Sequence, residues 1–259
     1  DEKACLKVLY SEVLFIFVTL HPDSAKVWDA KTGQLKATHR QLTKGELTAC
    51  CLDDRERKLF LGDTLGRIFA INVRNGATLK DFQEQKKPTG KDEKANGEGP
   101  SAITDLGYCV LEKNKVLVSS SESSSLKIYD DSESDPNKTR NNRMTHHRGA
   151  VYSLSIKQVG IKKEGERGHR SDQAEAGGYA LPSVVASASE DGSVIITNLT
   201  SYRIEALIRN KFGHPFKKTT FLTDYDCMAA VDSDGRVFFI GYQEDRKFDI
   251  HCFKEYHST

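Results

Sequence analysis

Ala25-Lys26-Val27-Trp28-Asp29 is a short apolar strand that ends in an acid, and this ending returns along the chain. Degraded copies are Ala70-Ile71-Asn72, Ile128-Tyr129-Asp130 and Ile196-Thr197-Asn198. A fifth, Phe239-Ile240-Gly241, keeps the apolar pair and loses the acid or amide. The closing positions 29, 72, 130, 198 and 241 stand 43, 58, 68 and 43 residues apart. The two long intervals exceed 43 by 15 and 25 residues, and each holds a polar insertion. Asp-Gly turns, Asp191-Gly192 and Asp234-Gly235, precede two of the copies. A period of about 40–45 residues with this ending predicts an all-β chain, a β-propeller of four-stranded antiparallel blades.

Placing the remaining strands gives about five blades, covering roughly 4–29 plus 246–253, 33–72, 76–130, 138–198 and 202–241. Blade strands are sheltered on both flat faces, so they read as apolar runs with small residues and not as strict alternation. Gly33 and Asn75-Gly76 mark tight turns that need positive φ. Polar insertions fall at 83–100 and 157–179, where composition cannot supply a packed core. In this register the first blade lacks an outer strand, and Lys247 to Phe253 is left over to complete it. That closure would remove the free edges of the ring. A fragment of a larger propeller fits the same arithmetic, and the two alternatives stay open.

Composition narrows the function. Lys plus Arg number 38 against 37 Asp plus Glu, so no one-sided basic field draws the chain to nucleic acid or an anionic membrane. The longest apolar run, Val13 to Val18, is far short of the roughly 20 residues of a membrane helix. No secretory signal is legible, although a chain that begins at Asp1 leaves an upstream one open. Cys5, Cys50, Cys51, Cys109, Cys227 and Cys252 form no CxxC pair and no zinc spacing. Reduced thiols in a cytoplasmic protein are expected, mostly buried as small hydrophobes.

The blades resemble the WD-repeat family across essentially the whole chain outside the insertions. His147 through Ile156, followed by Val185-Ala186-Ser187-Ala188-Ser189-Glu190-Asp191-Gly192-Ser193-Val194, follows the family pattern closely. The resemblance implies structural roles for Trp28, for His147 as the strand-positioning histidine, and for Asp191 as the tight-turn acid, with Asp234 in the equivalent turn of the last blade. Only Trp28 keeps the namesake Trp, and Glu122 to Leu126 replaces the Asp-Gly turn with serines. A narrower likeness covers about one blade, from Glu46 through Gly62-Asp63 to Asn75-Gly76-Ala77. It is similar to large WD-repeat proteins of cilia and flagella, some of which carry EF-hands. Asp232-Ser233-Asp234-Gly235 is no EF-hand, since it lacks the other oxygen ligands and the glutamate at loop position 12.

No catalytic motif, phosphate loop or dinucleotide fingerprint is present, so no catalytic residue, metal site or cofactor is expected. Adjacent strand residues such as His146-His147 and Cys50-Cys51 point to opposite faces and cannot address one site. The function expected is a non-catalytic scaffold that binds other proteins or peptides, with no membrane, nucleic acid or small-molecule substrate. The narrower likeness implies a cilium, an axoneme or another cytoskeletal, microtubule-based assembly. The alternative is an enzyme-type propeller or a reader of acidic or phosphorylated ligands. For that reading Lys26, Arg67, Lys127, Ser193 and Arg236 are expected at inner-strand starts, around the channel. Asp131 to Asn142, a d-to-a loop here, and Lys157 to Tyr179, a b-to-c loop, are expected to share one rim. With Arg148, Lys162 and Lys163 they would form a charged partner surface there, or else serve as spacers.

Overall fold

Asp29 caps the turn behind its own strand: its Oδ1 accepts the N–H groups of Lys31 and Thr32, each at 2.9 Å. The same device recurs wherever the repeat keeps its acid or amide. Asn72 accepts from Arg74, Asp130 from Ser132, and Asn198 from Thr200 and Ser201. A short side-chain acceptor two residues ahead of a free N–H mimics a backbone turn, which explains why the closing position stays Asp or Asn. Gly33 and Gly76 complete two of these turns at φ of 70° and 71°.

Such a tight turn returns the chain antiparallel onto the strand it has just left. In the computed structural model, which describes residues 3–82, 101–111, 114–132, 141–158, 183–222, 227–242 and 248–255, this produces five four-stranded sheets with strands paired in chain order. Blade 1 is β1 (Lys7–Ser11), β2 (Ile16–His21), β3 (Ser24–Asp29) and β4 (Leu35–Arg40). Blade 2 is β5 (Leu47–Leu52), β6 (Lys58–Asp63), β7 (Ile68–Asn72) and β8 (Thr78–Asp81). Blade 3 is β9 (Ile103–Val110), β10 (Lys115–Ser121), β11 (Leu126–Asp130) and β12 (Asn141–Met144). Blade 4 is β13 (Val151–Lys157), β14 (Val184–Ser189), β15 (Ser193–Asn198) and β16 (Ile204–Arg209). Blade 5 is β17 (Phe216–Leu222), β18 (Cys227–Asp232), β19 (Arg236–Tyr242) and β20 (Phe248–Glu255). The first strands lie innermost: β5 packs beside β9, β9 beside β13 and β13 beside β17, with β1 beside β5.

The blade boundaries differ from the sequence expectation by one strand. Leu35–Arg40 pairs with Ser24–Asp29 and is the outer strand of blade 1, whereas Phe248–Glu255 pairs with Arg236–Tyr242 and completes blade 5. The last strand therefore does not close onto the first blade. The physical reason is the hairpin: five residues separate β3 from β4, too few for β4 to reach a different sheet. For the same reason Asn75-Gly76 lies inside blade 2, and 83–100 joins the outer strand of blade 2 to the inner strand of blade 3.

Four apolar clusters fill the spaces between consecutive blades. Ile16, Val18, Leu20 and Val27 meet Leu59, Leu61, Phe69 and Ile71 between blades 1 and 2. Phe60, Phe82, Leu117 and Tyr129 lie between blades 2 and 3, with the Phe60 and Tyr108 rings stacked at 5.1 Å. Val118, Ile128, Val151 and Val185 join blades 3 and 4, and Val184, Ile196, Phe216 and Phe238 join blades 4 and 5. Gly62 lets blades 2 and 3 close up, because a Cβ there would stand 2.6 Å from Ile103. Among the described residues no such cluster joins blade 5 back to blade 1.

Candidate partner-docking surfaces

The strand order gives the ring two rims. On one, here the hairpin rim, the turns from first to second and from third to fourth strand emerge. On the other emerge the second-to-third turns and the connections between blades.

Lys26, Arg67, Lys127 and Arg236 lie on or beside third strands, one strand pair away from the channel, so they do not form a ring of inner-strand starts. The apolar spacing identified strands but could not show which of the four was innermost. Arg67 is bound by Asp81 at 2.6 Å and stacks on Phe69; Arg236 is held by Asp232 and Asp234 and stacks on Phe212. Lys26 is buried and Lys127 partly so. Arg148 is exposed on the connecting rim, and its backbone N–H donates to Asp191 at 2.8 Å. Lys162 and Lys163 lie outside the described residues, as do 133–140 and 159–182. The described ends of those two insertions join third to fourth and first to second strands, so both leave from the hairpin rim and not as d-to-a and b-to-c loops. Arg148 stands on the opposite rim from them.

Of the four residues expected to be structural, His147 and Asp191 share one hydrogen-bond network at blade 4. His147 is buried; its Nε2 meets Ser187 Oγ at 2.7 Å and its Nδ1 meets Ser193 Oγ at 3.0 Å. Ser193 Oγ donates in turn to Asp191 at 2.5 Å. Burial lowers the His147 pKa against the opposing pull of Asp191, so the ring is neutral at neutral pH. Burial also raises that of Asp191, but donors from Ser193 and Arg148 and the nearby imidazole outweigh it and hold the carboxyl below its usual range. In blade 1 Trp28 donates its indole N–H to Thr19 at 2.9 Å. Asp234 sits in the last turn, beside His214 at 3.1 Å.

Sequence reasoning missed Asp105, an acid on the inner strand β9. Lys7 of blade 1 donates to it at 2.7 Å, Lys218 of blade 5 reaches it at 3.5 Å, and the N–H of Leu154 in blade 4 donates at 3.0 Å. An apolar-period search has no means to find a residue whose partners lie 98 and 113 positions away. Asp131 is a second buried acid, shared by Lys58, Lys80 and the Tyr108 hydroxyl, each at 3.2 Å. Burial pushes the thiols of Cys50 and Cys109 up to about 12 and that of Cys51 well above its ordinary value. Lys7 acts against this at Cys50 and Cys51, and burial prevails. No group of three or more His, Cys, Asp or Glu side chains suited to a metal ion occurs among the described residues.

The hairpin rim carries a cleft of about 510 Å³ between blades 1 and 2, lined by Val13, Leu14, Arg57, Asn72 and Arg74. Arg57 and Arg74 are exposed, and among the described residues neither guanidinium has an ion-pair partner. Their backbones are fixed: Arg57 N–H donates to Asp53 at 2.7 Å and Arg74 N–H to Asn72 at 2.9 Å. Val13 and Leu14 supply an apolar wall, with Phe15 exposed beside them under Lys31. Two fixed cations beside an apolar wall suit a peptide segment that combines carboxylates with an apolar side chain.

No protein-family model matches the chain. Over 64 residues it is 36% identical to cilia- and flagella-associated protein 337 B of Tetrahymena thermophila; the match spans 25% of this chain and 5% of that protein. A chain of a solved structure described as the crystal structure of the mitotic checkpoint complex superposes on 100% of this chain and 67% of its own length. Its TM-score is 0.68 and its identity 13%, which shows the fold. In fold and in repeated motif the chain resembles WD-repeat β-propellers. No helix among the described residues is long and apolar enough to cross a membrane.

Proposed function

We propose that this chain is a non-catalytic protein-interaction scaffold of a ciliary or flagellar, microtubule-based assembly. It grips an acidic partner segment with an apolar anchor on the hairpin rim. The observation that carries this reading is the pairing of Arg57 and Arg74, whose guanidinium groups have no ion-pair partner among the described residues, with Val13 and Leu14 in one cleft. A stiff ring presents these groups with little ordering entropy lost on binding. The ciliary setting rests on the stretch similar to the Tetrahymena protein. A non-catalytic role is supported by the way the buried titratable groups are committed. Asp105 and Asp131 are each neutralised by two lysines, and both His147 ring nitrogens are hydrogen-bonded. Lys7 and Lys218 are engaged by Asp105, which disfavours the channel as a reader of acidic ligands.

The test is quantitative recovery of partners from an axonemal extract by the wild-type protein and by an Arg57→Glu/Arg74→Glu variant. Both side chains are exposed, so the variant keeps the wild-type melting temperature. Charge reversal is expected to reduce recovery of the principal partner at least tenfold and to weaken its salt dependence. Equal recovery by both proteins would remove the cleft from the proposal.

A further inference from the structure

The β1–β2 hairpin carries the apolar wall of the hairpin-rim cleft, and the turn between β5 and β6 carries Arg57 on the blade 2 side. Ser11 and Asp53 hold the same place in these two hairpins, each paired across the turn with the residue that opens the next strand, Ile16 and Lys58. In blade 2 the Asp53 carboxylate closes its own turn: Oδ1 accepts the N–H groups of Arg57 at 2.7 Å and Lys58 at 2.8 Å. Blade 1 has only the Ser11 hydroxyl at that place.

The carboxylate for blade 1 comes from the next blade. Glu56 Oε2 accepts the Ser11 hydroxyl at 2.6 Å and the Val13 N–H at 2.9 Å, and Ser11 Oγ accepts the Leu14 N–H at 3.0 Å. Ser11 is fully buried, and Leu14 packs on the apolar cluster between blades 1 and 2. One side chain of blade 2 thus fixes both residues of the apolar wall, even though Val13 is 60% exposed.

Glu56 stands at a φ of 55°, in the left-handed region that few residues with a Cβ occupy. Backbone strain of this kind persists where the surroundings over-determine it, and it gathers at ligand clamps. Glu56 is also the acid next to Arg57 in sequence. Its Oε2 serves blade 1 instead, and among the described residues the Arg57 guanidinium keeps no ion-pair partner.

We propose that Glu56 is the positioning residue of the cleft and sets its specificity. By holding Val13 and Leu14 in place beside Arg57 and Arg74, it makes the site demand an apolar side chain flanked by carboxylates. This rests on the reading of the cleft as the partner site. The two roles open to Glu56 differ in sign. As a charge it repels an acidic ligand, so its removal would tighten binding. As the tie between the two walls it preorganises the site, so its removal weakens binding.

The experiment measures, by isothermal titration calorimetry, the affinity of two synthetic peptides, Glu-Glu-Leu-Glu-Glu and Glu-Glu-Gly-Glu-Glu. The proteins are wild type, Glu56→Ala, Glu56→Gln and Arg57→Glu/Arg74→Glu. Wild type is expected to prefer the leucine peptide about fivefold or more. Glu56→Ala is expected to bind that peptide about fivefold more weakly and to keep less than a twofold preference for leucine. Glu56→Gln retains an oxygen for both donors and is expected to rescue the preference. Ser11→Ala cuts the same tie from its other end and should reproduce Glu56→Ala, so the test survives if one of the two fails to fold. Glu56→Ala binding that equals or exceeds wild type, with the double arginine variant still deficient, overturns the proposal and leaves the cleft as the partner site. No binding by wild type, or no loss in the arginine variant, removes the cleft itself and this proposal with it.

Discussion

Lys7 and Asp105 join the first blade to the third, Nζ to carboxylate oxygen at 2.7 Å, across the inner strands of the ring. Burial draws the Lys7 ammonium downward, but the charge and hydrogen bond of Asp105 outweigh it and leave its pKa above the ordinary lysine value. A group whose folded pKa is raised contributes stability that is complete below the unfolded value of 10.5 and is lost as pH rises through the folded value. Asp105→Ala leaves Lys7 without its partner and the Leu154 N–H unsatisfied. The expected loss is about 1–3 kcal/mol, read as a lower urea midpoint at pH 7. The difference from wild type shrinks above pH 10.5.

His147 gives the acid side of the profile. Its folded pKa is lowered, so the unfolded chain takes up the proton first and stability falls as pH drops below 6.5. Asp191, also lowered, adds a second loss below 3.8. His147→Gln is expected to flatten the melting temperature between pH 6.5 and 5 while leaving the decline below pH 4. An unchanged slope in the upper window would show that the imidazole titrates freely.

Thr197 occupies the position of Trp28 in blade 4, and its buried Oγ1 has no hydrogen-bond partner among the described residues. Ser187, the counterpart of the Thr19 that accepts from Trp28, is engaged by His147 instead. An unsatisfied buried hydroxyl costs about 1–3 kcal/mol, and Val has the same shape. Thr197→Val is expected to raise stability by about 1 kcal/mol in chemical denaturation.

Thiol labelling separates the cysteines. Cys5 is exposed, whereas Cys50, Cys51 and Cys109 are buried with raised pKa values. Iodoacetamide at pH 8 is expected to modify Cys5 within minutes and the buried three only after denaturant is added, as read by peptide mass spectrometry. Native modification of Cys50 would mean that blades 1 and 2 separate readily, and of Cys51 that blades 2 and 3 do.

The repeat legible in one dimension supplied the all-β propeller, the five third strands and the turn acids. Strand length, turn chemistry and the closing Asp or Asn are local properties, set within a few residues of one another. His146 and His147 stand in the connection between β12 and β13 and not on a strand, and it is the packing of His147 between Ser187 and Ser193 that buries one and leaves the other exposed.

Tertiary structure alone decided which strand of each blade is innermost, and with it that Lys26, Arg67, Lys127 and Arg236 do not ring the channel. It placed Phe248–Glu255 in blade 5 and gathered Lys7 and Lys218 on Asp105. These facts depend on which surfaces meet after each sheet has formed. An apolar strand reads the same whether a neighbour covers it or not, so only the packing of one blade against the next distinguishes a core from an interface.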